Sequence, residues 1–329
     1  MLRLWTVLAL NLMLGLLLGA CATPSAQPAE RPIDSTAKRI ALSFDDVPRS
    51  PGAFLTTEKR AEMLRAALRK AGVKQAAFFV NPAQLAKRPE GTADIKAYVA
   101  EGHVIANHTA SHPGLSETEA SDYLADLDTA AAWLKGRAGY RPWFRYPFLD
   151  EGRSDKAKRD ALRAGLNQRG LLNAYVTVDA SDWFYEDAAR KAMRDGRAID
   201  RNALRDLYVE SHVEAAEFYD GLARTAIGRS PIHVMLLHET DLAALYIGDL
   251  VKGLREAGWT IVAADEAYAD PFGQYAATYD TPSAQGTLVE MVAWQRGLPA
   301  PRWYGRNDTR RADAEFRIRV LGEREISKD

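Results

Sequence analysis

From residue 38 onward the apolar positions come in short blocks separated by longer amphipathic stretches. RIALSF (39–44), QAAFFV (75–80), HVIAN (103–107), WFRYP (143–147), NAYVTVD (173–179), PIHVMLLH (231–238) and WTIVAAD (259–265) are compact apolar runs that predict strands. PIHVMLLH is apolar almost without interruption, as expected of a strand covered on both faces of a parallel sheet. Between the runs the period lengthens. Residues 56–71 place Leu64, Ala67, Leu68 and Ala71 on one face and end at Gly72. Residues 83–101, 154–169, 201–227 and 243–257 also predict helices, the last ending before Gly258. Ser116 and Glu119 have capping-box spacing, which predicts a helix with Tyr123, Leu127, Ala130, Ala131 and Leu134 on its buried face.

Strands alternating with helices imply parallel βα units. Seven predicted strands are too many for a small flavodoxin-like sheet and one short of a regular eight-stranded barrel. Residues 38–270 therefore read as one α/β domain. Residues 271–329, with Pro271, Pro282, Pro299 and Pro301, break the rhythm and read as a C-terminal extension packed on it. In this extension Trp294, Trp303 and Tyr304 are read as packing onto the domain, with stacking on sugar rings as the alternative.

Working residues in parallel βα architectures sit at the C-terminal ends of strands. Here those ends carry Asp45-Asp46, His108, Arg145, Asp179 with Asp182-Trp183 just beyond, and His238. Each alone has an ordinary explanation: a turn, a satisfied core histidine, a surface ion pair, simple packing. His108 and His112 lie four apart, so either one helical turn or a tight loop would bring their rings together, and a metal site would need a third ligand. Jointly, five strand ends deliver charged or imidazole groups to one rim, where each costs desolvation unless paired. His103, His212 and His233 fall outside this set and are read as structural.

Composition narrows the classes. The chain has 329 residues, 47% of them hydrophobic, and a formal net charge of -1, so the basic excess of a nucleic-acid binder is missing. One cysteine, Cys21, excludes intrachain disulfides and cysteine-ligated metal clusters. It follows Arg3, an apolar run and Gly19-Ala20, which resembles a bacterial lipoprotein signal. That resemblance implies residues 1–20 as a signal peptide, a lipid on Cys21, and a Pro/Ala/Ser-rich tether over 21–37. It also implies export and a membrane anchor without a spanning helix. By resemblance to lipoprotein sorting rules, Ala22 rather than Asp after the cysteine implies the periplasmic face of the outer membrane in a Gram-negative source, or else the cell surface. A plain secretory signal or short membrane anchor is the alternative. No G-x-S-x-G supports a serine-hydrolase mechanism.

Over residues 38–270 the chain resembles the polysaccharide deacetylase family, carbohydrate esterase family 4. SFDD (43–46), HTASH (108–112), RYPF (145–148), DASDW (179–183) and MLLH (235–238) resemble its five motifs in order. The resemblance implies a distorted (β/α)7 barrel. It implies Asp46, His108 and His112 as ligands of Zn²⁺ or another divalent transition metal such as Co²⁺. It further implies Asp45 as general base held by Arg145, and His238 as general acid oriented by Asp182. The backbone N–H of Phe148 would donate to the oxyanion, and Trp183 would wall the sugar site. Phe148 stands where the family has Tyr, Met235 where it has Leu, and Val47 where it often has Gly. The expected substrate is an acetylated polysaccharide or oligosaccharide, with the N-acetyl amide of an envelope or environmental amino-sugar polymer favoured. An O-acetyl esterase on xylan-like chains and a non-catalytic glycan-binding lipoprotein are the alternatives. No nucleic acid and no protein partner is expected, and the membrane is reached through the lipid alone.

Overall fold

The computed structural model describes residues 36–324. The signal peptide, Cys21 and nearly all of the expected tether lie outside the described residues. Among the described residues no helix is long and apolar enough to cross a membrane. In chain order the elements are β1 (Arg39–Val47), α1 (Thr57–Lys70), β2 (Ala77–Val80), α2 (Gly91–Ala100), β3 (Val104–Asn107), α3 (Ala120–Leu134), β4 (Tyr140–Phe144), β5 (Asp150–Arg153) and α4 (Lys156–Gln168). They continue with β6 (Leu172–Asn173), α5 (Asp182–Arg194), α6 (Arg201–Ile227), β7 (Ile232–His238), α7 (Asp241–Glu256), β8 (Thr260–Ile261), α8 (Ala264–Tyr268), β9 (Ala284–Gln285), α9 (Leu288–Gln295) and α10 (Thr309–Arg319).

Seven strands make one parallel sheet in the order β6-β4-β3-β2-β1-β7, with β8 also on β1. The sheet closes on itself. Residues 172–173 pair with β4. A few residues on, the same chain reaches β7, through Val178↔Met235 and the bonds Thr177 N–H to Val234 O (3.0 Å) and Leu236 N–H to Val178 O (2.9 Å). The distortion has a definite place. β7 occupies one edge of β1 along its length, so the other edge is shared: β8 takes Arg39–Ile40 and β2 takes Ser43–Val47. The fold is a distorted (β/α)7 barrel, and seven of the nine residues of β1 are buried in it. Phe44 and Phe78 stack at 5.0 Å within a core that includes Leu64, Leu68, Tyr98 and Leu237. Each such side chain contributes about 1.5–3 kcal/mol by leaving water.

Several sequence expectations shift. Helix α3 starts at Ala120 and Glu119 makes no side-chain cap. Ser116 is drawn elsewhere, because the buried Asp150 carboxylate accepts both its N–H (2.9 Å) and its hydroxyl (2.5 Å). The run expected over 83–101 divides into a 3₁₀ turn at Pro82–Ala86 and α2. Residues 173–179 are regular only at the start, since the chain must cross from β4 to β7 there. WTIVAAD keeps a two-residue strand before turning into α8, which carries Tyr268 into the core. Helix α5 lies where no element was expected; it buries Tyr185, Ala189 and Ala192 together with the polar Asp182 and Glu186.

The loop after β1 is fixed by buried carboxylates. Asp241 Oδ2 accepts the N–H groups of Phe54 (2.7 Å) and Leu55 (2.8 Å), while its Oδ1 faces the buried Arg60 at 3.4 Å. Glu186 accepts Ala53 N–H (3.0 Å) and Glu239 accepts Arg49 N–H (2.9 Å). Asp241→Ala would strand two amide donors and leave Arg60 without its counter-charge. Its expected cost is about 3–5 kcal/mol, read as a lower urea midpoint with unchanged m-value; a midpoint equal to that of the parent would show that the loop does not depend on this carboxylate.

Candidate active site

The strand ends meet in a cleft of about 690 Å³ lined by, among others, Asp45, Asp46, His108, His112, Phe148, Trp183 and His238. Asp45 and His238 are register partners at the ends of adjacent β1 and β7. Asp45 is buried, and Arg145 Nη1 donates to its Oδ1 (2.9 Å) and Oδ2 (3.2 Å). Arg145, itself 0% exposed, also donates to Ser43 Oγ (3.3 Å), Tyr268 O–H (2.7 Å) and the Ala174 carbonyl, and lies 4.1 Å over the Phe79 ring. A carboxylate clamped in this way cannot rotate to seek other donors.

The sequence left open whether His108 and His112 sit on a helical turn or a loop. They sit on a loop, with left-handed backbone at Thr109 (φ 63) and His112 (φ 65). Short polar side chains impose this path. Asn107 Oδ1 accepts Thr109 N–H (2.8 Å), Asn81 Nδ2 donates to the carbonyls of His108 (2.5 Å) and Thr109 (3.1 Å), and Asp126 accepts the N–H groups of Ala110 (2.8 Å) and Ser111 (2.9 Å). Asp46 is left-handed as well, at φ 64. Among the described residues seven non-glycine positions have positive φ, and six of them, Asp46 at the end of β1 and Thr109, His112, Phe148, Leu149 and Ser181 beyond the other strands, surround this site. At roughly 1–3 kcal/mol each, such strain persists only where the surroundings over-determine it.

Asp46, His108 and His112 each offer one ligand atom, all within 4.8 Å of one another. Asp46 Oδ1 lies 3.0 Å from His112 Nε2 and 3.6 Å from His108 Nε2. It is buried, yet it accepts no hydrogen bond. His108 Nδ1 is 2.8 Å from the Arg145 carbonyl, which can only accept, so Nδ1 carries the proton and Nε2 presents a lone pair. Three ligand atoms converging on one point fit a cation, and two imidazoles with one carboxylate suit a divalent transition metal. Burial opposes the charged Asp46 carboxylate, but the two imidazoles, His238 and Arg49 outweigh it and hold the carboxyl well below the usual range. Arg49 pairs with the second oxygen of Asp46. The strand-end pattern did not single it out, although its position three residues after Asp46 was legible.

His238 Nδ1 lies 2.6 Å from Asp182 Oδ1, and its backbone N–H donates to Asp182 Oδ2 (2.8 Å). Burial alone would lower the imidazole pKa; the Asp182 carboxylate and the nearby Asp46 raise it instead, to about 9. Phe148 (φ 59) occupies a tight left-handed turn at the rim, and its ring meets His112 edge-on at 4.5 Å. Val47 is buried and registers with Val80, so it extends β1 rather than opening the first loop. The three histidines read as structural are buried: His103 Nδ1 accepts Ala76 N–H (3.1 Å), His212 bonds the Tyr208 carbonyl (2.7 Å), and His233 lies between Thr177 and Asp220.

The extension contributes more than packing. Tyr304 is buried, and Trp294 packs against the core under Arg302, whose guanidinium lies 4.9 Å from its ring centroid. Trp303 does neither; it is 46% exposed and lines the cleft together with Gln285, Gly286, Glu290 and Asn307. It is turned outward because both flanks are tied down. Arg302 donates to the Leu298 carbonyl (2.8 Å) and Tyr304 O–H to Glu214 (2.7 Å).

Two imidazoles and a carboxylate at the rim of such a barrel make up a ligand set on which metal-assisted hydrolysis can be built. Residues 33–168 match the model of the polysaccharide deacetylase family. The match spans the loops of Asp45, Asp46, His108, His112, Arg145 and Phe148; Asp182, Trp183 and His238 lie beyond it. A peptidoglycan-N-acetylglucosamine deacetylase of Bacillus cereus is 29% identical over 144 residues, 44% of this chain and 46% of that protein. A chitooligosaccharide deacetylase of Bradyrhizobium sp. is 28% identical over 159 residues, 45% of this chain and 60% of that protein. The chain thus spans less than two thirds of the length of these relatives. Among solved structures, a family 4 carbohydrate esterase from Streptomyces lividans in complex with acetate has a TM-score of 0.44 at 20% identity, covering 70% of this chain and 95% of that one. The polysaccharide deacetylase Bc1974 from Bacillus cereus has a TM-score of 0.47 at 20% identity, covering 69% and 91%.

The geometry makes the state of His238 depend on Asp182. With a pKa of about 9, the ring is protonated at neutral pH and loses its proton only as pH rises through that value. In Asp182→Asn the dominant counter-charge is gone while burial remains, so the pKa should fall to about 6.5 or below. An NMR titration of the His238 ring in metal-free protein reads this directly; a value still near 9 would move the cause away from Asp182.

Proposed function

We propose that the protein is a divalent-metal-dependent deacetylase that hydrolyses N-acetyl groups of an amino-sugar polymer, with Zn²⁺ or Co²⁺ held by Asp46, His108 and His112. The observation that carries this reading is the convergence, in one cleft, of a clamped carboxylate, a cluster of metal-ligand type and a carboxylate-paired imidazole. A bound ion would polarise the acetyl carbonyl and make water more acidic. Asp45, held by Arg145, accepts a proton from the attacking water. The backbone N–H of Phe148 donates to the oxygen on which negative charge develops. His238, kept protonated at neutral pH by Asp182, gives its proton to the leaving nitrogen. Water adds across the amide, and acetate and a free amine leave. Trp183, 38% exposed at the cleft, would wall the sugar ring. The names of the two relatives favour an N-acetyl amide over an O-acetyl ester.

Acetate release from N-acetylglucosamine oligomers, peptidoglycan and acetylated xylan, with Zn²⁺ or Co²⁺ supplied and then chelated, tests the reading. Chelator-sensitive release from the first two is expected; release from xylan alone would make the protein an O-acetyl esterase, and release from none would leave a glycan-binding protein. Asp45→Asn should lower kcat by at least about a hundredfold while the ion stays bound, whereas His112→Ala should lose the ion itself, as read by metal analysis.

We further propose that Cys21 carries the lipid and holds the enzyme on the periplasmic face of the outer membrane or on the cell surface. Metabolic labelling with a radioactive fatty acid should mark the parent chain but not Cys21→Ala. Equal labelling of both would remove the anchor from Cys21.

A further inference from the structure

We propose that Trp303, presented by the C-terminal extension, is a sugar-stacking platform that widens the cleft from a site for one acetylated unit to a site for a chain of several. This deepens the proposed function and rests on it. Trp183, Trp303 and Phe148 are three of the large hydrophobic residues left exposed among the described residues, at 38%, 46% and 60%, and all three line the same cleft. Aromatic faces kept in water at one place favour a ligand with apolar C–H faces and a polar edge, as a pyranose ring has. Polar groups stand among them: Asp187, Gln285 and Asn307 share the lining. At about 690 Å³ the cleft far exceeds what an acetyl group needs and falls in the range of whole-ligand sites.

The exposure of Trp303 is built rather than incidental. Just beyond it, buried Arg306 donates to Glu315 (2.7 Å), Glu210 (2.5 Å) and Glu214, and Tyr304 N–H reaches Tyr219 Oη (3.4 Å). The same segment is tied to the strand-end loops. Asn307 Nδ2 donates to the Asp179 carbonyl (3.1 Å), and Ser181 Oγ donates to Asn307 Oδ1 (3.0 Å), directly before Asp182-Trp183. On the other side Gln285 Nε2 donates to the Phe148 carbonyl (3.2 Å), and β9 pairs antiparallel with β5. The extension thus grips both the Trp183 loop and the Phe148 turn, and Trp303 stands between these two attachments in the sequence.

The test uses the full chain with N-acetylglucosamine oligomers of two to five units. In Trp303→Ala, KM should rise more as the oligomer lengthens, reaching about tenfold (about 1.4 kcal/mol) at five units with kcat within about twofold, and Trp303→Phe should recover most of the loss. A rise in KM of equal size at every length, or none, would overturn the platform. If the parent releases no acetate from these oligomers, the deacetylase reading fails by itself. The platform is then read by calorimetric binding of the pentamer, where affinity lost in Trp303→Ala and kept in Trp303→Phe supports it, and equal affinity or no binding to the parent overturns it.

Discussion

A guanidinium buried inside the barrel organises the rest of the molecule. Arg145 follows β4, yet its partners belong to β1 (Ser43 and Asp45), to the chain after β6 (Ala174) and to α8 (Tyr268). β1 and β4 are separated by β2 and β3 in the sheet, so the ion pair spans the interior rather than joining neighbours. A charge placed there is tolerated only if its donors are satisfied, and its partners come from opposite sides of the barrel. The same bonds that settle Arg145 fix the direction of the Asp45 carboxylate. Stability and chemistry share one constraint at this point: either partner alone would be a buried, uncompensated charge.

Around that fixed centre the ligand cluster depends on backbone paths that ordinary residues avoid. Asp46, Thr109 and His112 take left-handed conformations without being glycine, and the hydrogen bonds of Asn81, Asn107 and Asp126 hold the histidine loop in that path. The Arg145 carbonyl sets the tautomer of His108, so the residue that clamps Asp45 through its side chain also prepares a ligand through its backbone. Asp182 plays the matching role for His238, bonding both its ring and its amide. Asp45, His108 and His238 are therefore each oriented by a second group that is itself buried, an arrangement that would limit reorganisation if charge moved there.

The extension enters this scheme from outside the barrel. Helix α10 packs on α5, whose first turn holds Asp182 and Trp183, and on α6, while β9 meets β5 beside the Phe148 turn. The charged cluster of Arg306 with Glu210, Glu214 and Glu315 anchors it at the base. One wall of the cleft is thereby built from residues more than forty positions beyond His238, on segments outside the barrel strands.

The sequence by itself determined the parallel strand–helix rhythm, because apolar runs and amphipathic spacing are properties of neighbouring residues. It also determined that Asp45, Asp46, His108, Arg145 and His238 stand at or just beyond strand ends, because side-chain identity and strand position are both local, whereas the strand expected before Asp182 is largely irregular. It misjudged Ser116, whose capping pattern is real in one dimension but loses to the Asp150 carboxylate from another segment. The spacing of Tyr185, Ala189 and Ala192 was legible but left unassigned, and nothing local signalled the β5–β9 pairing or Tyr268 as a partner of Arg145. Only the tertiary structure decided that the sheet closes between residue 178 and β7, that Asp46 Oδ1 faces two imidazoles without a hydrogen bond, and that Trp303 looks into the cleft while Tyr304 beside it is buried. These depend on which distant groups meet, and that is set by the competition among all buried polar groups for partners.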